Sequence, residues 1–353
     1  MQTIDEKKLN EFVGRAVSDL AAGYGGVMIS LGRKLGLYKA LAHNGPQSSL
    51  EVATRAGCAE RYVREWLNSQ AAGGYVVYHP SSETYELTPE QAKVLADEES
   101  PFYIPPAWDV PSSMWFDEDK TIAAFRTGKG VSWGDHDGRL YRGVAAFYNN
   151  AYRAQLVQSW LPALDGVVEK LAAGATVADV GCGHGLSTVI MAEAYPNSRF
   201  RGFDTHEGSI EAARENARKA GVGGRVRFEV ADAKGYPAEG FDLVTFFDCL
   251  HDMGDPVGAG RHARNALADD GTVLLVEPFA HDRVEDNLNP VGRLYYSASA
   301  TLCLAHSLSD DGGTALGAQA GERRLAAVFR EAGFKRFRRA TETAFNLILE
   351  ARP

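Results

Sequence analysis

The sequence predicts an α/β fold: a mostly parallel sheet flanked by helices, preceded by a mainly α-helical domain. Three observations predict it. The stretch Gly181-Cys182-Gly183-His184-Gly185 is a glycine-rich turn between an apolar strand and a helix. Downstream, apolar runs alternate with amphipathic ones, and Asp204, Asp232 and Asp248 stand at or just beyond the ends of three of them. Upstream, two short amphipathic segments are followed by a hairpin pattern. Strands that alternate with helices imply a parallel sheet with helices on its faces.

At 353 residues the chain is long for one core, so two domains are expected. The assigned boundaries are 1–95, a helical connector and pocket wall 96–160, and 161–353 with an insertion at about 280–320. A formal charge of −9 argues against a dominant nucleic-acid footprint. No apolar run is long enough to span a bilayer, and Met1–Glu11 lacks a signal-peptide core. Cys58, Cys182, Cys249 and Cys303 are scattered without metal-ligand spacing, which fits a reduced, cytoplasmic protein and no metal.

Taken in order, Leu9, Phe12, Val13, Val17 and Leu20 form an amphipathic stripe, suited to a partner subunit or to the chain's own core. A helix is expected over 26–42, from the spacing of Met28, Leu31, Leu35, Leu37 and Leu41. Ser48 with Glu51 is a capping box for a helix that stops at Gly57. A second helix runs 60–72, and strands 75–78 and 84–88 make a hairpin. Helix, turn, helix and two-stranded wing is the pattern of a winged helix-turn-helix domain. Such domains suggest DNA binding, but Arg61 and Arg64 share their helix with Tyr62, Val63, Trp66 and Leu67. The wing tip carries no lysine or arginine, so phosphate contacts are scarce. The connector is rich in aromatics, among them Trp108, Trp115, Phe116, Trp133 and Tyr141. It suits an apolar pocket wall, or plain packing. His136 lies in Gly134-Asp135-His136-Asp137-Gly138, a lid or a solvated turn.

In the second half, strand 177–180 enters the glycine turn and a helix 187–194 leaves it. This is a nucleotide-type site of the Rossmann kind, with helix N–H groups aimed at the ligand. The dinucleotide fingerprint would place its third glycine at Leu186; here it comes one residue early, at Gly185. Asp179 before the turn suits a cationic ligand better than a pyrophosphate. Strand 199–203 ends at Asp204, where an acid can bind ribose hydroxyls. Helix 209–220, strand 225–230, strand 241–247, helix 256–267, turn 268–271 and strand 271–276 follow. Strands 336–340 and 345–351 read as a closing hairpin, with Lys335-Arg336-Phe337-Arg338-Arg339 as a solvated strand face.

The Gly-x-Gly-x-Gly spacing after Asp179, with the ordered strand-end acids, resembles motif I and its neighbours in the class I S-adenosylmethionine-dependent methyltransferases. The resemblance implies a Rossmann-like seven-stranded methyltransferase sheet and S-adenosyl-L-methionine as cofactor. Its carried-over contacts are Asp179, Gly181, Gly183, Gly185, Asp204, Asp232, Ala233, Phe247 and Asp248. With the winged helix, the chain resembles small-molecule O-methyltransferases, and also actinobacterial methyltransferases of the same architecture that imply no substrate. The O-methyltransferase resemblance implies a homodimer and a small, largely apolar acceptor.

His251-Asp252-Met253 resembles the His-Asp-Trp segment of those enzymes, whose histidine is the general base; Met253 replaces the tryptophan. His251 carries over as candidate base, a residue type that titrates near neutrality. Asp252 or Glu277 is expected to orient it. Asp248, His251, Asp252 and Asp255 lack a known metal spacing. The insertion after Glu277 is a candidate acceptor wall, and the resemblance places Tyr295 and Tyr296 among the pocket candidates. Two other readings stay open: C- or N-methylation without a histidine base, and a cofactor-binding regulator that uses the winged helix on DNA.

Overall fold

The computed structural model describes residues 3–353. The chain forms two compact units. One comprises the residues up to Ser112 together with Arg142–Asn150; the other comprises Ser113–Tyr141 and Ala151–Pro353. The expected connector 96–160 is therefore not a body of its own, because its segments are divided between the two.

In the first unit the long helix Glu6–Lys34 replaces the shorter one expected over 26–42. Asp5 caps its start, with Oδ1 accepting the Lys7 and Lys8 N–H groups. Gly23, Gly25 and Gly26 do not break it. Gly26 is needed because a Cβ there would stand 2.4 Å from Trp108. The helix stops at Gly36, which adopts a left-handed φ of 69° before the short helix Leu37–Leu41. The helices Ser49–Ala56 and Glu60–Ala72 follow, then the wing strands β1 (Val77–His79) and β2 (Thr84–Glu86). The expected Ser48/Glu51 capping box is formed. Ile29, Tyr38, Leu41, Val52, Leu67 and Leu87 meet in one core. The Trp66 indole lies across Gly32 and donates to the Met28 carbonyl at 2.9 Å.

The second unit is built on a seven-stranded sheet in the order β5-β4-β3-β6-β7-β9-β8. Its strands are β3 (Thr176–Val180), β4 (Arg199–Asp204), β5 (Val226–Val230), β6 (Phe241–Phe247), β7 (Leu267–Pro278), β8 (Arg336–Glu342) and β9 (Asn346–Arg352). Strands β5, β4, β3, β6 and β7 are parallel; β9 pairs antiparallel with both β7 and β8. Strands β3, β6, β7 and β9 are almost continuously buried, as helices on both faces of a sheet require. The order reverses between β3 and β6, so the crevice at their carboxyl ends is the natural ligand site.

The turn expected at 268–271 is instead absorbed into β7 as an irregularity, where pairing jumps from Phe241↔Leu267 to Leu243↔Thr272. Gly271 permits this, since a Cβ there would lie 2.8 Å from the Phe241 carbonyl. The insertion is largely helical: Pro290–Ala298, a π-helical turn Ser299–Cys303, and Leu304–Ser309. No described helix is long and apolar enough to cross a membrane.

Candidate active site

The glycine turn is folded back onto β4. The N–H groups of Gly181 and Cys182 both donate to the Phe203 carbonyl, at 2.8 and 3.0 Å. All three glycines hold positive φ: 72° at Gly181, 53° at Gly183 and 69° at Gly185. Their surroundings differ. A Cβ on Gly181 would meet the Cys249 sulfur at 2.7 Å, and one on Gly185 would meet the Phe228 ring at 2.4 Å. A Cβ on Gly183 would meet nothing within 4 Å, so this glycine faces open space. Helix Leu186–Ala194 starts directly behind it, with free N–H groups at its first turn.

Asp204 braces the turn. One carboxylate oxygen accepts the Gly183 N–H at 2.9 Å and the other accepts the His206 N–H at 2.9 Å. Each oxygen retains a lone pair, and the side chain is half-buried. Asp232 is exposed beyond the end of β5, its carboxylate accepting the nearby Lys234 N–H at 2.8 Å; Ala233 beside it is half-buried.

Asp179 is enclosed by its own chain. It is 1% exposed, and three hydroxyls occupy its carboxylate: Ser187 at 2.8 Å, Thr188 at 2.5 Å and Thr245 at 2.9 Å. It pins the strand end to the following helix and to β6 through these hydroxyls. Burial drives its pKa up, against the pull of those hydroxyls.

On β6, Phe247 is buried beneath the Tyr152 ring at 5.4 Å between centroids. Asp248 follows at φ +50°, a conformation a non-glycine residue adopts at a cost of about 1–3 kcal/mol. Its two oxygens accept the Tyr152 hydroxyl and the Asn346 amide, both at 2.9 Å. Burial, then the neighbouring Glu277 charge, push its pKa to about 8. Next comes the single turn Leu250–Asp252. His251 is 3% exposed, and its Nδ1 lies 2.5 Å from Glu277 Oε2. Glu277 Oε1 also accepts the Leu250 N–H at 3.1 Å, so one carboxylate fixes both the turn and the ring. Of the two acids expected to orient His251, Glu277 does so and Asp252 does not. Burial raises the Asp252 pKa to about 6. For His251, burial opposes the charged ring, but Glu277 and Cys303 outweigh it and hold the pKa well above the usual value.

Tyr295 is buried, its hydroxyl donating to the Phe345 carbonyl at 2.8 Å, while Tyr296 is half-buried on the same helix. His136 is neither on a solvated turn nor free: its Nδ1 lies 3.1 Å from Asp117, which also takes the Asp137 N–H and Lys120. Burial lowers its pKa. Its segment carries Tyr141, whose ring stacks on His206 at 4.8 Å, beside Asp204. Four residues that the sequence does not single out for the catalytic or cofactor site belong to this region: Tyr141, Tyr152, Cys303 and Asn346. The aromatic richness of the connector is a sequence signal for the two tyrosines, and the start of an apolar strand is one for Asn346.

Residues 23–97 match the family model of an Rv2258c-like winged HTH domain, and residues 171–333 match that of a methyltransferase domain. The chain is 37% identical over 107 residues to 27-O-demethylrifamycin SV methyltransferase of Amycolatopsis mediterranei, covering 30% of this chain and 39% of that protein. It is 38% identical over 138 residues to trans-aconitate 2-methyltransferase of Streptomyces avermitilis, covering 39% and 51%. The chain thus spans about half or less of the length of these curated relatives. Among solved structures it shares its fold with the mitomycin 7-O-methyltransferase MmcR at a TM-score of 0.69 and 19% identity, over 98% of this chain and all of that one. Human N-acetylserotonin methyltransferase, solved with S-adenosylmethionine, aligns at 0.66 and 18% over 96% and 97%.

Proposed function

We propose that this chain, in which a winged helix-turn-helix domain precedes a class I methyltransferase domain, transfers a methyl group from S-adenosylmethionine to a hydroxyl of a small, largely apolar molecule. The carrying observation is the buried His251–Glu277 pair at the carboxyl end of the sheet, one strand from the open glycine turn.

The residues fit the cofactor. Gly183 leaves room for a ligand to approach the backbone, and Asp204 keeps acceptor capacity for ribose hydroxyls. Asp232 and Ala233, beyond the next strand, are assigned to the adenine edge. Phe247 and Asp248 complete the floor. Bound there, the cofactor supplies an electrophilic methyl group on a sulfonium centre. The chain's part is to align the acceptor and remove its proton. Alignment alone can account for about 7–11 kcal/mol of barrier lowering. Glu277 holds the proton on Nδ1 and so leaves Nε2 to accept the hydroxyl's proton; it then stabilises the imidazolium. Tyr295, Tyr296 and His136 are the assigned acceptor-pocket residues.

Oxygen is favoured as the acceptor atom by this pair and by the names of the relatives, a rifamycin and a mitomycin O-methyltransferase. The DNA-reading alternative is disfavoured by Arg61 and Arg64, which pair with Glu65 and Glu60 on their own helix. A homodimer is supported by the exposed faces of Leu9, Phe12, Val13, Val17 and Leu20. We place the protein in the cytoplasm.

Calorimetry with S-adenosylhomocysteine should give tight binding, and NAD none; the reverse would overturn the cofactor assignment. Methyl-labelled S-adenosylmethionine with a panel of phenols and naphthols reports the acceptor class. His251→Gln should cost ~10²–10⁴-fold in turnover. Duplex DNA binding at low salt would revive the regulator reading.

A further inference from the structure

The working nitrogen of His251 is already in contact with a protein group. Cys303 Sγ lies 3.3 Å from Nε2, opposite the Glu277 bond on Nδ1. Thiol, imidazole and carboxylate thus stand in line, with the base between a group that can lose a proton and one that orients it. The contact is held from several sides. Ser307 Oγ donates to the Met253 carbonyl at 2.9 Å, and the Gly317 N–H donates to the His251 carbonyl at 3.0 Å. Thr314 N–H reaches the Gly254 carbonyl at 2.9 Å. These bonds clamp the insertion onto the Leu250–Asp252 turn. Cys303 itself closes the π-helical turn Ser299–Cys303, a widened turn of the kind that recurs at functional sites. Cys303 is 9% exposed.

We propose that Cys303 relays the acceptor's proton to His251. This rests on the reading of this site as a hydroxyl methyltransferase with His251 as base. The acceptor hydroxyl gives its proton to Sγ while the Sγ proton moves to Nε2. The acceptor oxygen is left as the nucleophile, the thiol is regenerated, and one proton has moved to the His251–Glu277 pair. Cys182 and Cys249 have no such partner, and burial pushes both of their thiols well up, so they serve as internal controls.

The test needs no acceptor at first. Folded protein is treated with methyl methanethiosulfonate and the modified cysteines are followed by mass spectrometry. Cys303 should react at least tenfold faster than Cys182 and Cys249, and His251→Gln should slow it at least tenfold. Reaction no faster than the controls, or no response to His251→Gln, overturns the relay. Turnover of a phenol from the panel gives the second arm. Cys303→Ala should lose at least tenfold, and Cys303→Ser should recover part of it with a displaced pH profile. Full turnover by Cys303→Ala with loss in His251→Gln overturns the relay alone. Full turnover by His251→Gln overturns the hydroxyl-base reading beneath it.

Discussion

Two glycines of the turn, two residues apart, should respond to the same substitution differently, one chiefly in stability and the other chiefly in ligand affinity. Gly185→Ala meets two penalties. Its φ of 69° costs an L-residue about 1–2 kcal/mol. The new Cβ would also stand 2.4 Å from the Phe228 ring and 2.9 Å from Ala213 Cβ. Both are core groups, and overpacking of that kind costs about 1–3 kcal/mol. The sum is roughly 2–5 kcal/mol of lost stability, readable as a lower urea midpoint at unchanged slope. Gly183→Ala meets only the conformational penalty, about 1–2 kcal/mol, because nothing lies within 4 Å of its Cβ. That open side is where the ligand must come, so this variant should stay folded and lose affinity for S-adenosylhomocysteine at least tenfold by calorimetry. Equal losses of stability at the two positions, or unimpaired binding by Gly183→Ala, would refute the division of labour drawn from the turn.

Three further expectations follow from the site and the N-terminal helix. His251 should carry its proton well above pH 6.5, so its C2 proton resonance should titrate late, and Glu277→Gln should move that titration down. Its contribution to stability is then full below about pH 6.5 and fades as pH rises through the folded value, and turnover should climb over the same upper range. Asp248→Asn should be least favourable relative to the parent at low pH. The parent's carboxyl is raised to about 8 in the fold, so it gives its full stabilisation below about pH 4 and loses it as pH climbs toward 8. The difference between the two proteins should therefore move in the variant's favour by up to about 1.4 kcal/mol per pH unit across that window; a pH-independent difference sinks the assignment. Finally, Val17→Glu with Leu20→Glu should convert a dimer to a monomer in sedimentation velocity, and a parent that is already monomeric would contradict the dimer.

What the sequence made legible was local. The glycine turn, the capping box at Ser48 and the strand-end acids are each specified by a few adjacent residues, and they stand where periodicity and turn chemistry placed them. What it hid depended on which strands become neighbours. Glu277 prevails over Asp252 because β7 lies beside β6, with Phe247 opposite Val276, a pairing invisible in a single chain. Tyr152, Cys303 and Asn346 reach the site from 52 to 98 residues away. The three hydroxyls that enclose Asp179 lie on two different elements, and an acid beside a glycine turn gives no sign of them. Apolar spacing places the N-terminal helix over 26–42, whereas it runs Glu6–Lys34 and ends before Gly36, with Gly26 inside it admitting Trp108.

The position of β9 between β7 and β8 has a consequence for biosynthesis. Strand β8 leaves the ribosome before β9, yet among the described residues β9 is its one sheet partner and the one strand on the outer edge of β7. Until Asn346–Arg352 emerges, the apolar Val273–Val276 edge of β7 is an unpaired template for other chains, and β8 has nowhere to dock. The same late strand delivers Asn346 to Asp248. A nascent chain of this protein therefore passes through a window in which it is most prone to aggregate and its site is still unfinished, and one strand closes both.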